Sequence, residues 1–154
     1  MLIIFDKDGT LIGNFNNRPA NSIEEQQLLP GVAEKCAELR AQGHDLAVAS
    51  NQGGVAYGLI SQDEAAALVA HAAGLIGSRL FLFCPHHPKG ANPHYAIECD
   101  CRKPRPGMLL QLMWRAKAAP ADTIMVGDSE SDRQAAEAAG VAFAYAKDFF
   151  KKEN

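Results

Sequence analysis

Short apolar runs punctuate the chain at Leu2 to Phe5, Leu46 to Ala49, Leu80 to Phe83, Thr123 to Val126 and Val141 to Tyr145. Each is too short for a stable helix and reads as a strand, while the stretches between most of them are alanine-rich with a helical period. Strands this apolar predict burial on both faces, as in a parallel sheet covered by helices. The pattern therefore predicts an α/β fold: a three-layer, Rossmann-like domain with a central parallel sheet.

Helix signals agree with this parse. Pro30 and Gly31 precede a predicted helix over Val32 to Gln42, and Gly43 stands where a C-terminal cap belongs. Ser61 and Glu64 form a capping box ahead of Ala65 to Ile76, in which Leu68, Ala72, Leu75 and Ile76 make one apolar stripe. Pro106 suits the first turn of a helix over Gly107 to Lys117, whose Trp114 is expected in the core. Ser129 and Asp132 cap a last helix to about Ala139, before Gly140. No repeat or linker divides the chain, and 154 residues suit one domain. The expectation is a single domain over 1–154 with no separate cap. Two connections, Gly9 to Pro30 and Cys84 to Arg105, are longer than a tight turn needs, and long loops in compact domains are usually functional or disordered. Near the C-terminus, Phe149 and Phe150 either serve a partner or pack back on the sheet.

Composition narrows the function. Lys and Arg number 15 against 18 Asp and Glu, a net charge of −3, so no overall positive field exists to hold nucleic acid or an anionic membrane. No apolar run reaches the ~18 residues of a membrane span. Met1 to Phe5 meets Asp6 and Lys7 too early for a signal-peptide core. A cytoplasmic monomer acting on a small molecule is expected.

Three polar clusters follow three predicted strands: Asp6-Lys7-Asp8-Gly9-Thr10, Ser50-Asn51-Gln52-Gly53-Gly54 and Gly127-Asp128-Ser129-Glu130-Ser131-Asp132. In a parallel sheet these ends share one edge, where open α/β folds bind ligands. At ~4 Å and an effective dielectric of about 20, each like-charge pair costs roughly 4 kcal/mol, so clustered carboxylates call for a cation. Few hard oxygen ligands with room for water and an anionic substrate favour Mg²⁺.

Cys84-Pro85-His86 and Cys99-Asp100-Cys101 form two knuckle-like halves. Three thiolates and an imidazole with no vacant position match structural Zn²⁺, bound by Cys84, His86, Cys99 and Cys101, with His87 the alternative to His86. Arg102-Lys103-Pro104-Arg105 follows directly, so the same metal would fix where these cations point. Lys103 and Arg102 are assigned to anionic groups of the substrate. A nucleic-acid zinc module is disfavoured by the acidic balance and the missing recognition helix.

Taken together, Asp6-Lys7-Asp8-Gly9-Thr10, Ser50-Asn51, Lys103 and Gly127-Asp128 resemble the four motifs of the haloacid dehalogenase superfamily of phosphohydrolases over nearly the whole chain. The resemblance implies a Mg²⁺-dependent reaction in which Asp6 attacks phosphorus to form an aspartyl-phosphate, while Asp8 protonates the leaving oxygen and then activates water. It further implies metal ligation by the carboxylates of Asp6 and Asp128 and the backbone carbonyl of Asp8. Asp132 stands behind these ligands, and Ser50 and Asn51 donate to phosphoryl oxygens. Within the superfamily the cysteine loop and Pro106-Gly107-Met108 are most similar to the heptose bisphosphate phosphatases, with histidinol-phosphate phosphatases second. Three departures stand out: a shorter C-terminus, Ser129 where some relatives have Lys, and Ser50 in place of a common Thr. A reading from another class is a non-catalytic phosphate sensor or zinc-braced interaction module on the same scaffold.

Overall fold

The apolar residues divide into two sets because successive side chains of a strand point to opposite faces. In the computed structural model, which describes residues 1–152, the strands are β1 (Leu2–Phe5), β2 (Asp45–Asn51), β3 (Leu80–Cys84), β4 (Thr123–Gly127) and β5 (Ala142–Tyr145). They form one parallel sheet in the order β3-β2-β1-β4-β5. Ile3, Phe5, Leu46 and Val48 face one layer, built by α1 (Val32–Ala41), α2 (Gln62–Leu75) and α5 (Ala146–Phe149). Leu2, Ile4, Ala47 and Ala49 face the other, built by α3 (Gly107–Ala116) and α4 (Glu130–Ala139). The central strand β1 is wholly buried. Burying Phe5 alone contributes roughly 1.5–3 kcal/mol. The α/β three-layer architecture is therefore as expected, and no helix among the described residues is long and apolar enough to cross a membrane.

Several expectations are corrected. The edge strands β3 and β5 are mostly half-buried, because a strand at the sheet margin has a neighbour on one side only. Trp114 is 80% exposed: Met108, Leu109, Leu112 and Met113 occupy the inner face of α3, so position 114 falls on the outer face above Leu110. Leu75 is likewise exposed, and Ala65, Val69 and Ala73 complete the buried stripe of α2 with Leu68 and Ala72. An additional short helix, α5, follows β5 and turns Phe149 and Phe150 back onto Phe5, with ring centroids 5.8 Å from it in both cases.

The caps follow the expected chemistry. Ser61 and Ser129 each accept from the backbone N–H three residues on, completing capping boxes with Glu64 and Asp132. The second box matters for the site, because it fixes Asp132 at the mouth of α4.

Candidate active site and metal centre

The sheet order reverses direction between β1 and β4, so the connections leaving these strands diverge and open a crevice at their C-terminal ends. Asp6 follows β1 immediately and its N–H donates to Val126 O at 2.9 Å, which places it alongside the end of β4. Carboxylate oxygens of Asp6, Asp128 and Asp132 lie within 4.8 Å of one another. Two glycines make this approach possible. A Cβ on Gly9, whose φ is +83°, would overlap the Asp128 carboxylate, and one on Gly127 would overlap Asp132.

Lys103 enters this cluster from the cysteine loop and is 3% exposed. Its Nζ donates to Asp6 Oδ1 at 2.7 Å, pairs with Asp132 Oδ1 at 2.7 Å and reaches Ala49 O at 2.8 Å. Burial alone would lower the Lys103 pKa, but Asp6 and Asp132 outweigh it and hold the ammonium above its ordinary value. Asp6, 9% exposed, is pushed up to about 7, first by burial and then by Asp132 and Asp128, against the pull of Lys103. One ammonium therefore does not neutralise the cluster. The second oxygen of Asp132 is already taken, accepting from Asp128 N–H and Ser129 N–H at 3.2 Å and from Ser129 Oγ at 2.9 Å. That leaves Asp6 and the exposed Asp128 as the carboxylates with capacity for a cation.

The end of β2 supplies polar groups. Gln52 Nε2 donates to Ser50 Oγ at 2.7 Å, and the buried Ser50 hydroxyl in turn makes a long donation to Asn51 O at 3.5 Å, which a better acceptor in the crevice would displace. The Asn51 side chain and the Lys103 main chain exchange two hydrogen bonds of 3.0 Å. Asn51 thus anchors Lys103 and keeps one amide N–H for a ligand. Asp8 lies on the rim, with Oδ1 2.7 Å from Lys7 Nζ and Oδ2 3.4 Å from Gln52 Nε2.

The cysteine loop closes as a compact donor set. Cys84 Sγ lies 3.5 Å from His86 Nδ1, 3.5 Å from Cys99 Sγ and 3.0 Å from Cys101 Sγ, and Cys101 Sγ is 3.5 Å from His86 Nδ1. All four cysteines are free thiols. A tetrahedral zinc with Zn–S of about 2.3 Å and Zn–N of about 2.0 Å has ligand separations of ~3.5–3.8 Å; the three 3.5 Å separations match this and the Cys84–Cys101 pair is closer, so the donor set suits that ion with the two sulfurs moved apart. His86 is the histidine that joins it; His87 Nδ1 instead accepts from Lys89 N–H at 3.1 Å and faces Tyr57 Oη at 3.3 Å. Cys84 ends β3 directly opposite Asn51, and Arg102 N–H donates to Cys99 Sγ at 3.4 Å. The cluster, the end of β2 and Lys103 are consequently one connected body. Arg102 is half-buried against Gly53, its Nη1 donating to His86 O at 3.4 Å.

Three residues with defined contacts here have no role assigned above: Lys7, Gln26, which accepts from Lys7 Nζ at 3.0 Å, and Gln52. Gln52 was detectable in principle, since it shares a face of the strand end with Ser50. Nothing local marks Gln26.

A family model for haloacid dehalogenase-like hydrolases matches residues 15–140. The chain belongs to that family. The D-glycero-beta-D-manno-heptose-1,7-bisphosphate 7-phosphatase of Yersinia pestis is 35% identical to it over 144 residues, covering 90% of this chain and 76% of the relative. The enzyme of the same name from Rhodopseudomonas palustris is 38% identical over 144 residues, covering 88% and 77%. Among solved structures, D,D-heptose 1,7-bisphosphate phosphatase from B. bronchiseptica, complexed with magnesium and phosphate, has a TM-score of 0.75 and 33% identity, covering 92% of this chain and 78% of that one. This haloacid dehalogenase-like hydrolase is thus an enzyme, a phosphatase like those relatives, which sets aside the non-catalytic reading.

Proposed function

We propose that this phosphatase is Mg²⁺-dependent, acts through an aspartyl-phosphate on Asp6, and removes the 7-phosphate of D-glycero-β-D-manno-heptose 1,7-bisphosphate. The observation that carries the reading is the convergence of Asp6, Asp128 and Asp132 on Lys103 Nζ at the crevice between β1 and β4. An acidic, oxygen-only donor set with excess negative charge suits Mg²⁺. Asp6 and Asp128 would hold it with carboxylates and Asp8 with its backbone carbonyl, while Asp132 keeps its oxygens on Lys103 and the start of α4. Bound there, the ion supplies Lewis-acid neutralisation of the phosphoryl charge.

The chain's own residues then divide the work. A carboxylate oxygen of Asp6 attacks phosphorus, forming the O–P bond as the bond to the sugar oxygen breaks, and Asp8 gives its proton to that oxygen. Asp8 next takes a proton from water, which attacks phosphorus, releases inorganic phosphate and restores Asp6. Lys103, the Ser50 hydroxyl and the remaining Asn51 N–H offset charge on the phosphoryl oxygens. Arg102 meets the phosphate that is not transferred, and Zn²⁺ on Cys84, His86, Cys99 and Cys101 holds Arg102 and Lys103 in place. Free thiols in this number suit the reducing cytoplasm, where the chain acts as a single-domain monomer.

The test is phosphate release from the heptose bisphosphate, histidinol phosphate and 4-nitrophenyl phosphate, with and without Mg²⁺, for the native chain and Asp6→Asn. The bisphosphate should be turned over fastest, with activity lost in Asp6→Asn and after Mg²⁺ removal. Turnover surviving in Asp6→Asn refutes the mechanism, and faster release from histidinol phosphate refutes the substrate.

A further inference from the structure

Lys7 is a buried charge to which the proposed chemistry gives no part. It is 1% exposed, although it stands between two acidic residues at the rim of the site. Its Nζ donates to Asp8 Oδ1 at 2.7 Å and to Gln26 Oε1 at 3.0 Å. Gln26, itself buried, donates from Nε2 to Leu68 O in α2 at 3.1 Å. Taking an ammonium out of water is costly unless its protons find acceptors, and an apolar side chain would fill the same space without that cost. The charge therefore needs a reason of its own, and the group it reaches is Asp8.

We propose that Lys7, steadied by Gln26, is a positioning residue for Asp8. Lys7 holds Oδ1 from below while Gln52 approaches Oδ2 at 3.4 Å, so the carboxylate presents one orientation toward the leaving-group oxygen. The inference rests on the proposed role of Asp8 as the acid of the first step. Its physical content is directional: a part-exposed aspartate on a loop rotates freely about its side-chain torsions, and proton transfer requires hydrogen-bond reach in the reacting geometry. The chain Leu68 O, Gln26, Lys7, Asp8 ties that geometry to α2, which carries none of the residues assigned to the transferred group.

The experiment measures leaving-group release in a single turnover with enzyme in excess, using the heptose bisphosphate and 4-nitrophenyl phosphate, for Asp8→Asn, Lys7→Met and Gln26→Leu. An alkoxide needs a proton to depart, whereas a nitrophenolate leaves without one. Lys7→Met is expected to slow release from the sugar by ~10- to 100-fold, part of the ~10²- to 10⁴-fold that a general acid contributes. Release of nitrophenolate should change less than about 3-fold, since no proton is transferred to it. Gln26→Leu should show the same selectivity at smaller amplitude, and it decides the matter if Lys7→Met does not fold. Equal slowing on both substrates makes Lys7 a structural residue and overturns the proposal, as does no slowing on either. If Asp8→Asn itself slows both equally, the assignment of Asp8 fails and the clamp with it, a result distinguishable from failure of Lys7 alone.

Discussion

Replacing Lys103 with Met removes the ammonium while keeping most of the stem volume. Two carboxylate contacts of 2.7 Å are lost in a side chain that is 2% exposed. Breaking a buried ion pair by removing one partner costs roughly 3–5 kcal/mol. The carboxylates left behind lie within 4.8 Å of each other, where at an effective dielectric of about 20 their repulsion is ~3 kcal/mol, enough for one to take up a proton instead. At roughly 2–4 °C per kcal/mol for a domain of this size, the metal-free variant should melt ~6–20 °C below the native chain. The loss must depend on pH. Asp6 is already raised to about 7 by burial, against the pull of Lys103, and without that pull it rises further. An acid with a raised folded pKa holds its proton in the folded state, so stability falls as pH rises from the ordinary carboxylate range through the folded value. The gap between native and Lys103→Met should therefore widen from pH 5 to pH 8 and narrow when Mg²⁺ is added. Thermal unfolding followed by far-ultraviolet circular dichroism in EDTA and in Mg²⁺ measures all three effects. An equal melting temperature at pH 8, or a gap that does not change with pH, would refute the electrostatic account of the cluster.

Mg²⁺ affinity should weaken about tenfold for each pH unit below about 7, because the cation must displace the Asp6 proton; calorimetry should detect proton release at pH 6 and little at pH 8, and a flat affinity contradicts the raised carboxyl. Gly9→Ala puts a Cβ into the Asp128 carboxylate at a φ of +83°, a backbone strain of ~1–2 kcal/mol; Mg²⁺-dependent turnover should fall at least ~100-fold through misplacement of the ligand, and a variant with native turnover refutes the packing argument. Stripping zinc with a chelator, followed by restoring Mg²⁺, should raise KM and speed amide hydrogen exchange across 84–105. Unchanged KM in zinc-free protein would separate the cysteine cluster from Arg102 and Lys103.

The features legible in sequence were those with a local signal. Apolar runs located all five strands, and the capping boxes at Ser61 and Ser129 located the starts of α2 and α4. The end of β2 was read two residues short because Ser50 and Asn51 are polar, yet both stay in the ladder opposite Phe83 and Cys84. α5 escaped notice because Ala146–Phe149 is a single turn, too short for a period to show. His86 and His87 are adjacent, and only the path of the loop separates the one that meets the thiols. Nothing beside Lys7, which stands between two acids, marks it as buried; its ammonium is met by Gln26, 19 positions away in an irregular segment. Long-range pairing of that kind leaves no trace in a window of neighbouring residues.

The outward-facing indole on α3 has a practical consequence for anyone studying this molecule. Trp114 is the sole tryptophan, and at 80% exposure its surroundings in the native state are already close to those of a denatured chain. Its emission should hardly shift when the protein melts, so a fluorescence scan would return a nearly featureless trace for a fully cooperative transition. Moving the fluorophore inward, for instance as Phe5→Trp, would exchange that silence for strain in the packed layer beneath Phe149 and Phe150.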